Sequence, residues 1–509
     1  MTARRRGGRK RGPASDQPPR AESYRQLSHP FAPQSVFSGD EIAQMHETAL
    51  RVLSELGLKV LLPEAREIFA TGGALIEEDM VRIGPEIIAA ALETAPARTR
   101  IRAINPAREQ MLEDGAMLFY PGSGCPNVSD ALRGRRAGDA ESYAETIKLH
   151  QSFDVIHAFG PSAEPQDIPV HLRHYEMLRA QMVHGDKPMF VYARGRRQVA
   201  QSLEMIQTGF DLSDAEMREG VWALTVINTN SPRQIDQPMA QGLIDFARAG
   251  QLSVITPFCL AGAMAPITVA GALVLQHAEA LAAITLAQLA KPGAPVLYGG
   301  FSSNVDMKSG SPAFGTPEHI RCTIGSGQLA RHIGLPWRSA CGAASNTPDM
   351  QAAQETTNSL WAALQANATL TVHAAGWQEG GLTFGYEKFI NDIEGLQTVA
   401  ELCRPEPARA DDMGFDAIAE VAPGGHFFSA RHTMSRYADA FYQPLVADLS
   451  NYETWAGKGE QTSAERATAI WQQQLAEFRS PPTGAAAAER LAPYIEAGTR
   501  KGGAAPMDD

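Results

Sequence analysis

GLPWRSACGAASNTPDMQAAQE, residues 334–355, opens as a buried strand around Trp337, crosses small and polar residues, and sets off as a helix near Pro348. That is one strand–loop–helix unit. If such units recur at even spacing, the chain builds a parallel sheet covered by helices; a solitary unit implies nothing of the kind. Arg338, Cys341, Asn346 and Asp349 stand in its strand end and loop, between the strand and the helix.

The unit recurs. Short apolar or aromatic runs that give way to Gly, Pro, Asn or Ser stand at MLFYPGSG (117–124), VIHAFGPS (155–162), MFVYARG (189–195) and WALTVINTNSP (222–232). They continue at SVITPFCLAG (253–262), PVLYGGFSSN (295–304), LPWRSACG (335–342) and LTVHAAGW (370–377). Their starts lie 31 to 42 residues apart, room for a strand, a helix and two loops. Helices are expected between them at 139–150, 237–249, 267–290, 317–333 and 348–368. Eight such units over residues 111–400 predict an α/β protein built on a (β/α)8 TIM-type barrel. An open doubly wound sheet is the competing architecture; the absence of a GxGxxG-type first turn favours the barrel.

Helical additions are expected on both sides. Ser38, Gly39, Asp40 and Glu41 have the form of a capping box, followed by Ile42, Met45, Ala49, Val52, Leu53 and Leu56 at helical spacing, with Gly57 as the stop. With a second stretch at 85–93, this predicts an N-terminal helical region over 37–110. Beyond residue 400 the composition turns charged and helical: an extension over 401–480, with a helix at 464–478, then a flexible Gly/Ala tail over 481–509. Residues 1–36 are expected to form a disordered basic tail, because their first twenty carry seven Arg or Lys without the apolar face of a presequence.

Hydrophobic residues make up 44% of the 509, and the formal net charge is −12, which argues against a nucleic-acid partner. No apolar run reaches the roughly 18–20 residues that cross a bilayer. The nearest, 252–275, is broken by Thr256, Pro257, Pro266 and Thr268, so no membrane partner is expected. The five cysteines form no CxxC pair and no HExxH occurs, so neither a disulfide framework nor a protein-held metal is expected. Such cysteine usage fits a reducing, cytoplasmic setting.

In a barrel, function sits where the strands end. That makes Tyr120, Asn228, Tyr298, Phe301, Arg338, Asn346, His373, Trp377 and Glu379 the candidate substrate-binding residues. Rings at several strand ends either surround a cation or pack the barrel's outer layers. Gly122, Gly299, Gly342, Gly376 and Gly381 also follow strands, either to admit a large ligand or to build loops. No Ser-His-Asp order, paired carboxylates or phosphate loop competes for this face, so no acid–base dyad is assigned.

Three blocks, residues 335–355, 370–394 (LTVHAAGWQEGGLTFGYEKFINDIE) and 423–444 (PGGHFFSARHTMSRYADAFYQP), together resemble the trimethylamine methyltransferase family over roughly residues 37–478. The resemblance implies the same barrel, and transfer of a methyl group from a methylated amine to a corrinoid protein. The family's founding branch carries pyrrolysine in the loop after the seventh strand, here 342–348. Aligned on Pro348, Asp349, Met350 and Gln351, that position falls at or next to Asn346, an ordinary residue. The implied branch is therefore the one associated with quaternary amines such as glycine betaine.

A quaternary ammonium leaves as a neutral tertiary amine without an added proton. It asks for a cage, an orientation and a dry path more than for an acid. A betaine's carboxylate would meet Arg338 or His373, although an Arg in a barrel equally pairs with an internal acid. Asn346 would line the pocket; Glu379 and Glu387 would contact the cation, close salt bridges or cap helices. A tertiary-amine or sulfonium donor and a non-catalytic betaine-binding protein are the alternatives. The corrinoid-binding DxHxxG motif is absent, so the corrinoid (cobalamin) is expected on a cognate partner protein, with this chain a symmetric homo-oligomer.

Overall fold

The structure is a computed structural model that describes residues 24–506. Its central sheet has eight strands: β1 (Leu27–Ser28), β2 (Ala116–Phe119), β3 (Met189–Phe190), β4 (Ala223–Ile227), β5 (Leu252–Ile255), β6 (Val296–Gly299), β7 (Trp337–Ala340) and β8 (Leu370–Val372). They lie in the order β1-β2-β8-β7-β6-β5-β4-β3; β1 runs antiparallel to β2 and every other pair is parallel. Helices Gln237–Ala249, Val269–Ala290, Pro317–His332 and Met350–Gln365 join successive strands, close to the expected stretches.

The sheet curls. Leu118, Phe190, Leu224, Leu252, Val254, Leu297, Leu370 and Val372, from six of its parallel strands, meet in one buried cluster. Side chains alternate across a strand, so these mark one face, and only a sheet bent back on itself brings β2 and β6 into one apolar core. An antiparallel hairpin (Thr99–Ile101 with Gln110–Leu112) adds Ile101 and Leu112 to the same cluster. The interior is thereby filled below, and space remains at the C-terminal strand ends.

The run at 155–162, expected as a strand, forms none. His157 explains why. Its backbone N–H donates to the Phe119 carbonyl at 2.9 Å, but its ring Nδ1 accepts the Phe119 N–H at 3.0 Å, the donor that a ladder would use. Ring Nε2 meets the Arg25 carbonyl at 3.0 Å, which ties residues 24–28 to the sheet.

The flanking regions are more ordered than expected. Of the expected disordered tail, residues 1–23 lie outside the described residues, whereas 24–36 are held: Leu27 is buried on β2, and Tyr24 donates to the Arg108 carbonyl at 2.9 Å. Residues 37–110 are mixed rather than helical, because Leu58–Val60, Leu75–Glu77 and Met80–Arg82 form a small sheet beside helices Gly39–Arg51 and Pro85–Thr94. Ser38 and Glu41 do close the capping box. The expected flexible tail contains helix Pro482–Arg500, which buries Ala487 and Leu491 against Arg173–His184 and Arg196–Phe210. Within the extension, helix Ser463–Ala476 buries Ala467 and Trp471, while Phe415, Phe428 and Phe441 between short helical turns are 77–82% exposed.

Helix Val269–Ala290 corrects the expectation about apolar runs: at 22 residues it is long and apolar enough to cross a membrane. Here 78% of its most apolar window is buried, with neighbours in helices Gly39–Arg51, Pro85–Thr94, Gln237–Ala249 and Pro317–His332, as befits a core helix.

Burial sets how stability responds to acid. It pushes His157, His174, His184 and His319 down to about 4, and His150, His277 and His373 well below the usual value. Folded, these rings stay neutral; unfolded, they take up a proton near pH ~6.5, so stability is full above that value and drains as pH falls toward about 4. Each contributes at most about 1.4 kcal/mol per pH unit, less for the partly exposed His174 and His184. Burial raises Asp245, Glu279 and Asp392, which act in the opposite sense but are fewer. The melting temperature is therefore expected to be clearly lower at pH ~5.5 than at ~7.5; a flat profile would contradict this.

Candidate active site

A cavity of about 390 Å³ opens at the C-terminal strand ends. Of the candidates read from sequence, Asn228, Phe301, Arg338, His373 and Trp377 line it. Phe190, Tyr192, Arg194, Thr256 and Phe258 line it as well. No Asp or Glu is among the lining residues.

Phe301 is the hub of the ring system. Its centroid lies 5.0 Å from Phe258, 5.3 Å from Phe314, 5.5 Å from His373 and 5.7 Å from Trp377. His373 stacks on Trp377 at 4.8 Å with an interplanar angle of 26°. On the far wall, Phe190 meets Tyr192 at 5.2 Å, and the Arg194 guanidinium lies 4.5 Å from the Tyr192 centroid. Arg194 is satisfied by Glu164, which also pairs with Arg173 at 2.6 Å.

Arg338, on the inner face of β7, is not satisfied. It is 1% exposed, and its Nε and Nη1 have no hydrogen-bond partner among the described residues. Its guanidinium carbon sits 5.1 Å from the Phe301 centroid, a cation–π contact rather than an ion pair. Burial pushes its pKa down to about 9, which leaves it charged at neutral pH. The internal carboxylate that would have explained this arginine structurally is not there among the described residues.

His373 takes a left-handed backbone (φ 59°), and its Nδ1 accepts the Ser123 N–H at 3.3 Å. Burial, and then the neighbouring Arg338 cation, hold its pKa well below the usual range. The ring is neutral, with its proton on Nε2. The turn after it is anchored from behind: Asp392 accepts the Gly376 N–H at 2.8 Å and is held by the buried Lys388 ammonium at 2.6 Å.

The glycines around Trp377 make room for the protein's own side chains rather than for a ligand. A Cβ at Gly342 would lie 2.2 Å from the indole, and one at Gly381 2.6 Å from it, with φ values of 131° and 103°. The indole is slotted between two glycines, which fixes its plane at the cavity wall.

Four candidates fall elsewhere. Tyr120 continues the inward alternation of Leu118 but lies deeper, where its hydroxyl donates to Gln110 Oε1 at 2.7 Å. Tyr298 points outward, since Leu297 and Gly299 take the inner face of β6, and its hydroxyl meets His277 Nδ1 at 3.1 Å. Asn346 is exposed. It is not among the lining residues, and the Ala344 and Ser345 N–H groups of its loop donate to Glu355 at 2.7 and 3.1 Å. Glu379 stands at the rim in an ion pair with Arg135 at 2.9 Å, and Glu387 accepts from Trp471 Nε1 at 2.8 Å. Thr256 also lines the cavity, at the inward position that the alternation Leu252, Val254, Thr256 gives it.

Among the described residues no group of three or more His, Cys, Asp or Glu is placed to hold a metal ion. What the cavity offers is rings, one unpaired cation, and neutral hydrogen-bonding groups. That set contains groups that can bind and orient a ligand, and no paired carboxylates for acid–base work.

The chain matches the trimethylamine methyltransferase (MTTB) family over residues 4–503. It is 34% identical over 449 residues to a glycine betaine methyltransferase of Desulfitobacterium hafniense (strain Y51), covering 88% of this chain and 93% of that protein. It is 28% identical to the trimethylamine methyltransferase MttB of another Desulfitobacterium hafniense strain (DSM 10664 / DCB-2), covering 85% and 87% respectively. The crystal structure of the Methanosarcina barkeri monomethylamine methyltransferase (MtmB) superposes on it with a TM-score of 0.48 at 8% identity, covering 88% of this chain and 89% of that one. The chain belongs to the trimethylamine methyltransferase family, enzymes that take a methyl group from a methylated amine and pass it to a corrinoid protein.

Proposed function

We propose that this enzyme demethylates a carboxylated quaternary amine, glycine betaine or a close relative, with a separate corrinoid protein as methyl acceptor. The observation that carries the reading is Arg338: a buried, unpaired guanidinium in an aromatic cavity whose lining holds no acid. A bare cation such as choline would meet that charge uncompensated. A betaine brings its own carboxylate to it and leaves its ammonium end among the rings. The similarity to a glycine betaine methyltransferase supports the same donor. On this reading the curled sheet is a closed (β/α)8 barrel, with residues 155–160 hung between β2 and β3 as its remaining wall; the strand order supports it.

The partner's reduced corrinoid supplies the nucleophile. The chain's own residues bind, orient and dry the donor. Arg338 grips the carboxylate and so fixes which end faces outward, and the rings around Phe301 surround the ammonium. The breaking C–N bond leaves its electron pair on nitrogen, so the amine departs neutral and needs no proton. A neutral His373, with no acid nearby to recharge it, fits a reaction of that kind.

The test is a thermal-shift panel of glycine betaine, proline betaine, carnitine, choline and trimethylamine, because a ligand of the folded state alone raises the melting temperature. Shifts confined to the carboxylated members are expected. A shift with trimethylamine and none with any betaine would overturn the proposal.

A further inference from the structure

Arg338 is not the only buried polar group that faces the cavity without a partner. Thr256, just past β5, lines the cavity, is 1% exposed, and its Oγ1 has no hydrogen-bond partner among the described residues. Buried hydroxyls are nearly always satisfied, so an orphan that lines the same cavity as an orphan guanidinium calls for a reason.

Strand register supplies it. Ile255 pairs with Tyr298, and Gly299 pairs with Arg338, so Thr256, Gly299 and Arg338 form one row across β5, β6 and β7. The middle of that row carries no side chain. A Cβ at Gly299 would lie 2.5 Å from Thr256 Oγ1 and 2.3 Å from the Ile255 carbonyl, so nothing larger than glycine fits. Thr256 and Arg338 thus stand two strand spacings apart, roughly 9–10 Å, with a bare glycine between them. Both side chains line the same cavity, so a ligand seated over Gly299 stands between them.

We infer that Thr256 is the second anchor of the donor's carboxylate: its hydroxyl donates to one oxygen while Arg338 holds the other, across Gly299. The inference rests on the carboxylated-donor reading above and sharpens it into a specificity rule. A carboxylate satisfies both orphans at once; a donor without one leaves both unpaired, which is how a site rejects a near-isostere.

The experiment measures glycine betaine and choline affinity by calorimetry for the full chain and for Thr256→Val, Thr256→Ser, Thr256→Ala and Arg338→Met, with ligand-free melting temperatures as the folding control. Thr256→Val, which keeps the shape, is expected to weaken glycine betaine about tenfold or more, with Thr256→Ala doing the same. Thr256→Ser is expected to restore affinity to within about threefold, and choline is expected to be insensitive to all three. Unchanged glycine betaine affinity in Thr256→Val and Thr256→Ala, with loss in Arg338→Met, would overturn the role of Thr256 and leave the betaine reading standing. Glycine betaine affinity unchanged in Arg338→Met, or absent from the unmodified chain, would overturn the reading and this inference together.

Discussion

Arg338→Met is expected to melt at a higher temperature than the unmodified protein and to lose its donor. Both effects have one cause. The guanidinium is stripped of water, and neither its Nε nor its Nη1 has a hydrogen-bond partner among the described residues. Replacing a buried ion pair with apolar side chains of similar volume is often stabilising, by about 1–4 kcal/mol, and among the described residues Arg338 has only its cation–π contact with Phe301 to lose. The same change leaves a bound carboxylate without its cation, a loss of about 2–5 kcal/mol, or roughly 30- to 5,000-fold in affinity. Thermal denaturation without ligand and calorimetry with glycine betaine check the two halves. A lower melting temperature with unchanged affinity would make Arg338 a structural residue.

Trp377→Ala is expected to fail in both respects. The indole is 5% exposed, stacks on His373, and meets Phe301 and Phe314 edge to face at 5.7 and 5.2 Å. Removing a buried indole destabilises by about 3–5 kcal/mol, and the loss of a ring near the ammonium weakens binding by a further ~0.5–2 kcal/mol. The contrast between the two variants is diagnostic, because one position should trade stability for binding while the other contributes to both. Urea denaturation beside donor titration would show it; a Trp377→Ala protein with unchanged affinity would remove that ring from the ammonium site.

The curled parallel sheet and the helices between its strands are legible because spacing is a coarse signal. Strand runs and helices between them leave room for errors of a few residues, and β3 to β8 fall on the expected runs. The run at 155–162 failed because the His157 ring takes the place of a ladder hydrogen bond, something hydrophobicity does not report. Helix Pro482–Arg500 was read as loose because its alanines resemble a linker, although Leu491 and Ala487 dock it.

The site was legible only in part, for a finer reason. Strand ends are easy to locate, but which side chain faces inward depends on alternation, and a shift of one residue reverses it. Tyr298 and Tyr120 stand out by their rings, yet one faces a helix and the other lies beneath the mouth. For Thr256 the alternation gives the inward direction alone; the unpartnered hydroxyl and the gap at Gly299 are visible only in the structure. Asn346 follows from its place in the loop after β7 and from the resemblance, yet it is exposed, in a loop whose Ala344 and Ser345 N–H groups are held by Glu355. Arg338 could be named from sequence, but its lack of an internal acid partner could not.

The central claim is that the donor is a carboxylated quaternary amine. The most direct measurement supplies the purified protein and its reduced corrinoid partner with glycine betaine or, separately, trimethylamine, and follows the demethylated amine by mass spectrometry. The account predicts dimethylglycine from glycine betaine only when both proteins are present, and no dimethylamine from trimethylamine. Dimethylamine from trimethylamine, with glycine betaine left intact, would contradict it.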